Sequence, residues 1–436
     1  MTTVAFHTLG CKVNHYESEA MMDLFKNKGY QIKDFDEFAD VYIVNSCTVT
    51  NQAARKSRQL ARRAKRQNSD SIVALVGCYT QVSPEEVRDI GEVDLFIGTS
   101  NRSNIVEYVE EVLGQGAVDI NILERQELSV FEELKVDTLR ETTRAYVKIE
   151  EGCNQFCSYC IIPYARGPVR SREPQLVLEE VRELVSRGVK EIILTGTHLG
   201  AYGYDWKDDN SLERLIVELV KVEGLGHIRL SSIEITEISD YLLDIMSNES
   251  KLCPHLHLPL QSGSDKILKK MKRPYTTDDF RKVVEKVREQ IPDIAITTDI
   301  IVGFPGEDQE CFEEHYQFVK ELKFSRLHVF PYSIREGTPA ARMKEQISGG
   351  IKREYSSKMR ELNEELMLNY QENFLGKTRE IIIEENRDYE TNFLTGVTDN
   401  YIRVLIDEDS KYMGKMVDAK LVRSLNFESV IGEIVK

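Results

Sequence analysis

The stretch Gly-Cys-Asn-Gln-Phe-Cys-Ser-Tyr-Cys at residues 152–160 places three thiols within eight positions, directly after a run that is typical of a strand. Soft thiolates at this spacing are the usual ligands of an iron–sulfur cluster, because one loop can fold its sulfurs around a cube of iron and sulfide. Three ligands leave one iron of that cube open. Gly152 and Asn154 favour a loop over a helix. The predicted ligands are Cys153, Cys157 and Cys160.

Two other interpretations of these thiols stay open at this point. A structural zinc site needs four ligands, and no further Cys or His follows nearby. A reduced, buried cysteine patch also fits, because offsets of four and seven residues share one face of a helix. The number and spacing of the thiols favour the cluster over both alternatives.

The spacing of the three cysteines, with Tyr159 just before the last one, resembles the signature of the radical S-adenosylmethionine (SAM) superfamily. In that superfamily the open iron chelates the amino and carboxylate groups of SAM. The following sequence, Ile-Ile-Pro-Tyr-Ala-Arg-Gly-Pro-Val-Arg-Ser-Arg at residues 161–172, narrows the resemblance to the methylthiotransferases. Those enzymes insert sulfur into an unactivated C–H bond and carry a methyl group onto it.

Length, charge and cysteine usage limit the class of protein. A chain of 436 residues exceeds what one core usually supports, so we expect about two to three domains. Eight cysteines without a secretory signal indicate reduced thiols that serve metal, and without a long apolar run we expect a cytoplasmic protein with no membrane partner. The formal net charge of −16 restricts RNA contact to local patches, and no DNA partner is expected.

Three more cysteines follow apolar runs in the N-terminal region. Runs at 4–8, 41–45 and 72–77 lead to Cys11, Cys47 and Cys78. A fourth run lies at 94–97, and the predicted helices are 15–28, 51–67, 83–90 and 102–112. This alternation predicts a parallel sheet covered on both faces.

The carboxyl ends of parallel strands are where functional groups gather in such sheets. We therefore expect Cys11, Cys47 and Cys78 to meet at one edge and to hold a second cluster with an open iron. Three unrelated buried cysteines are the alternative. The sequence at residues 8–19 and 45–51 also resembles the N-terminal domain of the methylthiotransferases, whose auxiliary cluster carries the sulfur to be donated.

A basic run at residues 55–66 contains seven Lys and Arg residues and no acidic residue. It consists of good helix formers, so a solvated helix face is one interpretation. A phosphate-contacting patch for RNA is the other. The residues to test first are Arg58, Arg62, Lys65 and Arg66.

The chain divides into an N-terminal domain (1–114), a polar linker (115–143), a central domain (144–373) and a C-terminal domain (374–436). Six apolar runs alternate with helical stretches in the central domain, which is two units short of a closed eightfold barrel. The predicted strands are 144–149, 191–195, 227–231, 255–258, 295–302 and 326–330. This pattern predicts a partial (β/α)6 barrel with one open side.

Loops at the carboxyl ends of these strands are the expected cofactor site. By resemblance, they surround SAM, and the predicted contacts are Tyr159, Thr195, Gly196, Thr197, Ser232, Glu234, Gln261 and Gly303. The segment Thr195-Gly196-Thr197 departs from the Gly-Gly-Glu segment that the superfamily uses for the amino group of SAM. His255 and His257 alternate on a strand, and we expect them to be packed or hydrogen-bonded rather than ligating.

A long helix at 349–373 precedes five short apolar runs with turn residues between them. That pattern predicts a small antiparallel β-barrel. By position and length it resembles the TRAM module, an RNA-binding domain that ends these enzymes. Its acidic composition weakens the expectation that it binds phosphate unaided.

The resemblance implies radical chemistry, which the weakly acidic aromatic C–H bond requires. The Cys153 cluster would cleave one SAM to a deoxyadenosyl radical that removes hydrogen, and the Cys11 cluster would supply sulfur methylated by a second SAM. The implied partners are the tRNA anticodon region and an electron-donating reductase.

Three substrates are open within the family: carbon 2 of threonylcarbamoyladenosine at tRNA position 37, the corresponding isopentenyladenosine, and an aspartate of a ribosomal protein. The sequence at 11–21 and 45–51 most resembles the threonylcarbamoyladenosine enzymes. Two functions of other classes remain: a non-catalytic iron–sulfur RNA-binding redox sensor and a zinc protein.

Overall fold

The structure, a computed structural model, describes residues 1–115, 122–136, 143–208 and 210–435. The strands of the N-terminal domain are β1 (Thr3–Thr8), β2 (Gln31–Lys33), β3 (Val41–Ser46), β4 (Ile72–Gly77) and β5 (Leu95–Ile97). Its helices are α1 (Lys12–Asn27), α2 (Asn51–Gln67), α3 (Cys78–Val82), α4 (Pro84–Arg88) and α5 (Ile105–Gln115). The strands form one parallel sheet in the order β2-β1-β3-β4-β5, as the alternation of strands and helices predicts.

Strands β3 and β4 are buried along their whole length, because helices cover both faces of the sheet. Ile43 and Ala74 belong to the hydrophobic cluster on one face, whereas Tyr42 and Leu75 belong to the cluster on the other. Such strands read as continuous apolar runs, which is why the sequence predicts them well.

Two elements of this domain differ from the prediction. The edge strand β2 was not predicted, because Gln31-Ile32-Lys33 holds one apolar residue and pairs only with β1. The helix predicted at 83–90 is α4 alone, at Pro84–Arg88, and a separate short helix that was not predicted, α3, precedes it with a break at Ser83. Pro84 explains the break, since proline lacks the amide that a continuous helix would need at that position.

In its described residues the central domain has eight strands and eight helices. The strands are β6 (Arg144–Lys148), β7 (Glu150–Glu151), β8 (Arg170–Ser171), β9 (Glu191–Thr195), β10 (His227–Leu230), β11 (His255–His257), β12 (Ala295–Val302) and β13 (Arg326–Pro331). The helices are α6 (Ile162–Arg166), α7 (Pro174–Ser186), α8 (Ser211–Leu219), α9 (Asp240–Asn248), α10 (Asp265–Met271), α11 (Thr277–Gln290), α12 (Gln309–Leu322) and α13 (Gly349–Glu372).

Six of these strands form the partial barrel that the sequence predicts. The sheets β6-β9-β10 and β11-β12-β13 are parallel, and the bridges Ile228–Leu252 and Ser232–His257 join them. Within the described residues β6 and β13 do not pair, so the barrel is open between them. Alternate residues such as Leu194, Leu230 and Ile300 pack outward in the hydrophobic core, and the residues between them face the lumen.

Five strands form a closed barrel at the C-terminus. They are β14 (Thr378–Arg387), β15 (Leu394–Thr398), β16 (Arg403–Ile406), β17 (Met416–Asn426) and β18 (Ser429–Ile434). Their order is β14-β15-β16-β18-β17. The predicted antiparallel pairing holds at four seams, but β16 and β18 are parallel. A closed ring with an odd number of strands cannot alternate in direction throughout, so one seam must be parallel.

The C-terminal barrel covers the amino ends of the central strands. His227 at the start of β10 lies 2.8 Å from Glu380, and Arg144 at the start of β6 lies 3.0 Å from Glu384. The ring of Tyr401 stacks on His255 with the ring centroids 4.5 Å apart. The lumen is therefore closed at this end by the C-terminal domain.

Within the described residues, no helix is both long enough and apolar enough to cross a bilayer.

Candidate active site

The loop of Cys153, Cys157 and Cys160 begins directly after β7. Gly152 has φ +100°, and a Cβ at this position would lie 1.9 Å from the carbonyl oxygen of Pro168, so only glycine allows this approach. The amide of Cys153 donates to the carbonyl of Gly167 at 3.0 Å, and the amide of Cys160 donates to the carbonyl of Cys157 at 3.0 Å. These contacts hold the three thiols on one compact loop at the carboxyl end of the barrel.

Two cationic side chains approach the sulfurs of this loop. Arg273, just after α10, donates from Nη1 to Cys157 Sγ at 3.2 Å. His198, which follows β9, places Nδ1 3.7 Å from Cys153 Sγ and Nε2 2.6 Å from Glu237 Oε1. Burial opposes the charge of His198, but the hydrogen bonds to Cys153 and Glu237 outweigh burial and raise its pKa to about 11. Both side chains stabilise negative charge on sulfur.

The N-terminal cysteines meet at the carboxyl edge of the parallel sheet. Cys11 is the N-cap of α1, Cys47 follows β3, and Cys78 is the first residue of α3 after β4. A Cβ on Gly10, which has φ +110°, would lie 3.2 Å from Cys47 Sγ. The thiols are close enough to interact electrostatically, and Cys78 is affected by both of the others. The sheet therefore brings the three predicted ligands together.

Asn14 fastens two of these cysteine loops to each other. Its Nδ2 donates to the carbonyl oxygens of Leu9 at 2.7 Å and of Ser46 at 3.0 Å. Leu9 is two residues before Cys11, and Ser46 directly precedes Cys47. The position of the two thiols thus depends on one buried amide, which the sequence gives no separate reason to select.

Burial raises the pKa of the Cys78 thiol and of the Cys160 thiol to about 12 each. A thiol of this kind stays protonated at neutral pH unless a metal replaces its proton. Each set has three thiols, and each receives an N–H donor from an arginine. Because thiolate sulfur suits iron and hydrogen bonds to sulfur are typical of cluster sites, both sets fit an iron–sulfur cluster.

Arg166 on α6 connects the two cysteine sets. It donates from Nε to Cys78 Sγ at 3.1 Å and from Nη2 to Asn14 Oδ1 at 2.6 Å. The same guanidinium bonds Glu151 at 2.7 Å, next to the first cysteine loop, and also contacts Glu17. Arg166 lies in the stretch that carries the family resemblance, but the sequence does not reveal what it contacts.

The carboxylates of Glu17 and Glu151 form the centre of a buried charge cluster. Arg102 Nη1 lies 2.5 Å from Glu17 Oε1, and Lys148 Nζ lies 3.1 Å from Glu151 Oε2. All of these side chains, with Arg166, are at most 2% exposed. Although burial alone would raise it, the pKa of Glu17 is lowered to about 2 because these cations surround it. This charge cluster fixes the N-terminal domain to the barrel.

The segment predicted as a linker also contacts the junction between the N-terminal domain and the barrel. In its described part, 122–136, Leu134 and Val136 pack against Tyr16 of α1. Glu132 accepts a hydrogen bond from Arg102 at 2.8 Å. The rest of the predicted linker lies largely outside the described residues.

A cavity of about 220 Å³ lies at the carboxyl end of the barrel. Cys160, Gln261 and Phe330 line it from the barrel, and Val49 and Thr50 line it from the loop that follows Cys47. Arg335 ties the two sides together, donating to Thr48 Oγ1 and to Asn51 Oδ1 at 2.6 Å each. One cavity is therefore bordered by both cysteine-bearing regions.

The predicted SAM contacts fall into three groups. Tyr159 and Gln261 line the cavity. Glu234 contacts Arg273 beside Cys157, and the segment Thr195-Gly196-Thr197 follows β9, with a Cβ on Gly196 only 2.6 Å from Glu150 Oε2.

Ser232 and Gly303 lie elsewhere. Ser232 is exposed and bridges to His257. The amide of Gly303 donates to Glu307, and the space for a Cβ is filled by Lys352 at 2.3 Å. The structure therefore brings neither residue to the cavity wall, although Ile301, two positions before Gly303, does line it.

Most of the predicted RNA-contacting residues on α2 already have acidic partners. Arg58 lies 2.5 Å from Glu86, Arg62 lies 3.5 Å from Glu92, and Lys65 lies 2.9 Å from Asp94. Arg66 is exposed, and no ion pair to it is found in the described part of the chain. The solvated-face interpretation thus applies to part of this helix.

Comparisons with known proteins bear on the whole chain. A model described as the radical SAM superfamily matches residues 147–319, and one described as the uncharacterized protein family UPF0004 matches residues 3–98. The threonylcarbamoyladenosine tRNA methylthiotransferase MtaB of Bacillus subtilis is 46% identical over 427 residues, which cover 97% of this chain and 94% of that protein. The chain belongs to the radical SAM methylthiotransferases.

Two other relatives are similar to this chain over most of its length. MtaB of Aquifex aeolicus is 41% identical and covers 85% of this chain and 90% of its own length. The tRNA-2-methylthio-N6-dimethylallyladenosine synthase of Clostridium novyi is 37% identical, covering 98% of this chain and 95% of its own length. The family membership predicted from residues 152–172 is confirmed.

Among solved structures, the radical SAM methyltransferase TsrM of Kitasatospora setae aligns with a TM-score of 0.58 at 16% identity, covering 78% of this chain and 77% of TsrM. This likeness shows a shared fold. As a member of its family, the protein is an enzyme of the sulfur-transferring class that uses SAM with an iron–sulfur cluster.

Proposed function

We propose that this methylthiotransferase adds a methylthio group to carbon 2 of N6-threonylcarbamoyladenosine at position 37 of tRNA. The observation that carries the proposal is the single cavity bordered by Cys160 on one side and by the residues after Cys47 on the other. Sulfur insertion needs hydrogen removal and sulfur delivery at the same carbon, so the two sites must open onto one space. The choice of nucleoside rests on the relatives named MtaB, which include the 46% identical protein of Bacillus subtilis.

In this proposal each cysteine set holds one [4Fe-4S] cluster. Cys153, Cys157 and Cys160 would hold the cluster that works with SAM, and Cys11, Cys47 and Cys78 would hold the auxiliary cluster. When bound, these groups supply a radical that can remove hydrogen from an unactivated carbon, and the sulfur and methyl group that replace it. Two SAM molecules are consumed in each turnover.

The residues around the cavity would orient SAM and keep water out. Tyr159 and Gln261 line its mostly apolar wall, which suits the adenosine part of SAM. Glu234 lies beside Arg273 next to Cys157, so both side chains would help to hold the methionine part of SAM when it is bound. Arg273 and His198 would hold negative charge on the sulfurs through their N–H groups.

The RNA partner is the anticodon region of tRNA, and the electrons come from a separate reductase. We propose α2 as one phosphate contact, since this helix lies directly after Cys47 and so beside the shared cavity. Arg66 would contact phosphate most readily because it is exposed, whereas Arg58, Arg62 and Lys65 would have to exchange a carboxylate for a phosphate.

Reconstitution with iron, sulfide, SAM and a reductant tests the proposal. The substrate is an anticodon stem–loop RNA that carries threonylcarbamoyladenosine, with an isopentenyladenosine stem–loop as the matched control. We expect the methylthio nucleoside to form in the first RNA, together with 5′-deoxyadenosine, and mass spectrometry of the digested RNA measures both. Product in the isopentenyl RNA alone would overturn the choice of nucleoside. Formation of no deoxyadenosine would instead favour a non-catalytic RNA-binding protein.

A further inference from the structure

Three polar side chains from neighbouring strands meet inside the barrel, below the shared cavity. They are His257 on β11, Asp299 on β12 and His328 on β13, and Asp299 and His328 are direct partners in the register of their strands. His257 Nε2 lies 3.2 Å from Asp299 Oδ1, and the rings of His257 and His328 have centroids 5.5 Å apart. Their neighbours Leu256, Ile300 and Val329 face the outer core, so this trio faces the lumen.

The trio lies between two cavities. Asp299 lines the 220 Å³ cavity that also contains Cys160. Thr297, two residues earlier on the same face of β12, lines a second cavity of about 290 Å³ together with Arg326 and Tyr401. We call the part of the lumen between these two cavities the shaft, and its residues on β12 and β13 include the polar side chains of Asp299 and His328.

Two cations act on this shaft. Lys12, the residue after Cys11, and Arg326 at the start of β13 both interact electrostatically with His328. In the described part of the chain neither cation is paired with a carboxylate, whereas Asp299 is engaged by His257. Burial lowers the pKa of His328 to about 4, helped by His257, Arg326 and Lys12 and opposed by Asp299, so its imidazole is neutral at pH 7. Lys12 and Arg326 thus have no carboxylate partner among the described residues, although Glu428 lies on the wall of the second cavity.

Such a shaft attracts an anion rather than a metal ion. Two histidines and one carboxylate do have ligand atoms within 4.8 Å of one another, a pattern that divalent transition metals use. A metal ion would have to displace the His257–Asp299 contact and accept Lys12 and Arg326 nearby. Unpaired, partly desolvated cations are instead what a carboxylate requires.

On the basis of the proposed function, we propose that Lys12, Arg326 and His328 bind the carboxylate of the threonylcarbamoyl group when the adenine base enters the shared cavity beside SAM. This group ends in a carboxylate, whereas an isopentenyl group is uncharged and apolar. The base enters from the side that borders both cysteine regions, and its N6 substituent extends down the shaft. The same residues would therefore select the substrate, since an apolar substituent would leave the two cations desolvated and unpaired.

Substrate pairs that differ only in this charge test the proposal. One stem–loop RNA carries threonylcarbamoyladenosine, and the other carries the threoninol analogue, in which a CH2OH group replaces the carboxylate. For the reconstituted wild-type enzyme we expect kcat/KM to be about 10- to 100-fold higher for the carboxylate, the range of a charged hydrogen bond. Arg326→Met and His328→Phe should each reduce this preference to a few-fold without lowering kcat/KM for the analogue.

Two further variants show whether a lost preference comes from the missing charge at Arg326 or from a disturbed structure. Arg326→Lys keeps the charge and should restore most of the preference. Arg403→Met removes a charge from the wall of the same 290 Å³ cavity, but Arg403 is already paired with Asp388 at 2.9 Å, so the preference should remain. Iron content and 5′-deoxyadenosine formation without RNA show whether each variant is intact. Lys12→Met is informative only if its iron content matches the wild type, because Lys12 adjoins Cys11.

The outcomes distinguish this inference from the proposed function. If the wild type methylthiolates the threonylcarbamoyl RNA but intact Arg326→Met and His328→Phe keep the full preference, the carboxylate subsite is wrong and the proposed function stands. If the wild type forms deoxyadenosine but no methylthio product on this RNA, both fail. A stoichiometric metal other than iron that is lost in His328→Phe would overturn the subsite in favour of a metal site.

Discussion

The two cysteine sets are built in opposite ways. Cys153, Cys157 and Cys160 lie on one loop that its own backbone contacts hold together, including the amides of Cys153 and Cys160. Cys11, Cys47 and Cys78 come from three strand ends and become neighbours only when the parallel sheet has formed. The first set is a local motif that a sequence displays directly. The second depends on the tertiary structure, and therefore on whatever stabilises the N-terminal domain.

The largest expected effect separates the two sets by their roles. Cys157→Ala should abolish both 5′-deoxyadenosine and the methylthio product, a loss of about 1000-fold or more, because the radical source is removed. Cys47→Ala should still form deoxyadenosine but should not yield the methylthio product. Quantifying both products by mass spectrometry checks this, with Cys311→Ala, a buried cysteine outside both sets, as the control. Loss of deoxyadenosine in Cys47→Ala at normal iron occupancy of the Cys153 loop would contradict the division of roles.

The next test removes Arg166, the side chain that connects the two cysteine sets. Arg166→Met leaves Glu17 and Glu151 with one cation fewer in a fully buried position, which should lower the free energy of unfolding by about 3–5 kcal/mol. Denaturant unfolding measures this loss. As a control, Arg187→Met removes an exposed arginine paired with Glu183 and should cost about 1 kcal/mol or less. Equal losses in the two variants would show that the buried charge cluster does not stabilise the domain junction.

The same cluster predicts sensitivity to acid. Glu17 has its pKa lowered to about 2 from an ordinary 4.5, so its contribution is complete above pH 4.5 and is lost as the pH falls toward 2. A shift of this size corresponds to about 3 kcal/mol of stability. Urea unfolding at pH 6, 4 and 3 should show the loss in the wild type. Glu17→Gln should be less stable at pH 6 and should show a shallower decline, and an unchanged slope in this variant would contradict the assignment.

A smaller effect on deoxyadenosine formation should follow from removing the arginine that donates to a sulfur of the Cys153 loop. Arg273→Met removes the donor to Cys157, and we expect deoxyadenosine formation to fall by about 10- to 100-fold. Electron paramagnetic resonance of the reduced protein should then show a change in the signal of the Cys153-loop cluster only. Arg273→Lys should recover part of the rate. A change in the signal of the auxiliary cluster instead would contradict the assignment of Arg273 to the Cys153 loop.

The smallest effect concerns RNA contact beside the second set. Arg66→Ala should weaken tRNA binding a few-fold and reduce the slope of log affinity against log salt by about 1, as expected for one phosphate contact. Arg58→Ala should change the slope less, because Arg58 is already paired with Glu86. Binding titrations at several salt concentrations measure both. Identical slopes in the wild type and the two variants would remove α2 from the interface.

Much of this molecule could be predicted because its signals are local. The buried strands β3 and β4 are continuous apolar runs, and α2 has the bounds 51–67 that the sequence predicts. The cysteine loop is likewise contained in nine residues. By contrast, β2 has a single apolar residue, and its place in the sheet comes only from pairing with β1.

Contacts between distant residues could not be predicted. Glu17, Glu151 and Arg166 are ordinary charged residues in the sequence, and only the docking of the N-terminal domain buries them together. The same holds for Asn14 and Arg166, which lie 152 positions apart in the chain and are hydrogen-bonded at 2.6 Å. The expectation that His255 and His257 are hydrogen-bonded is correct, since both contact the hydroxyl of Thr297.

The stacking of Tyr401 on His255 has a consequence for the integrity of the reaction chamber. Tyr401 has φ +69°, an uncommon conformation for a bulky residue, and Arg229 lies over its ring at 4.9 Å. The C-terminal domain thus closes the amino end of the lumen, opposite the cysteine loops. An enzyme shortened at Glu372 would keep every cysteine but would open the amino end of the lumen to water. We therefore expect it to form 5′-deoxyadenosine without the methylthio product.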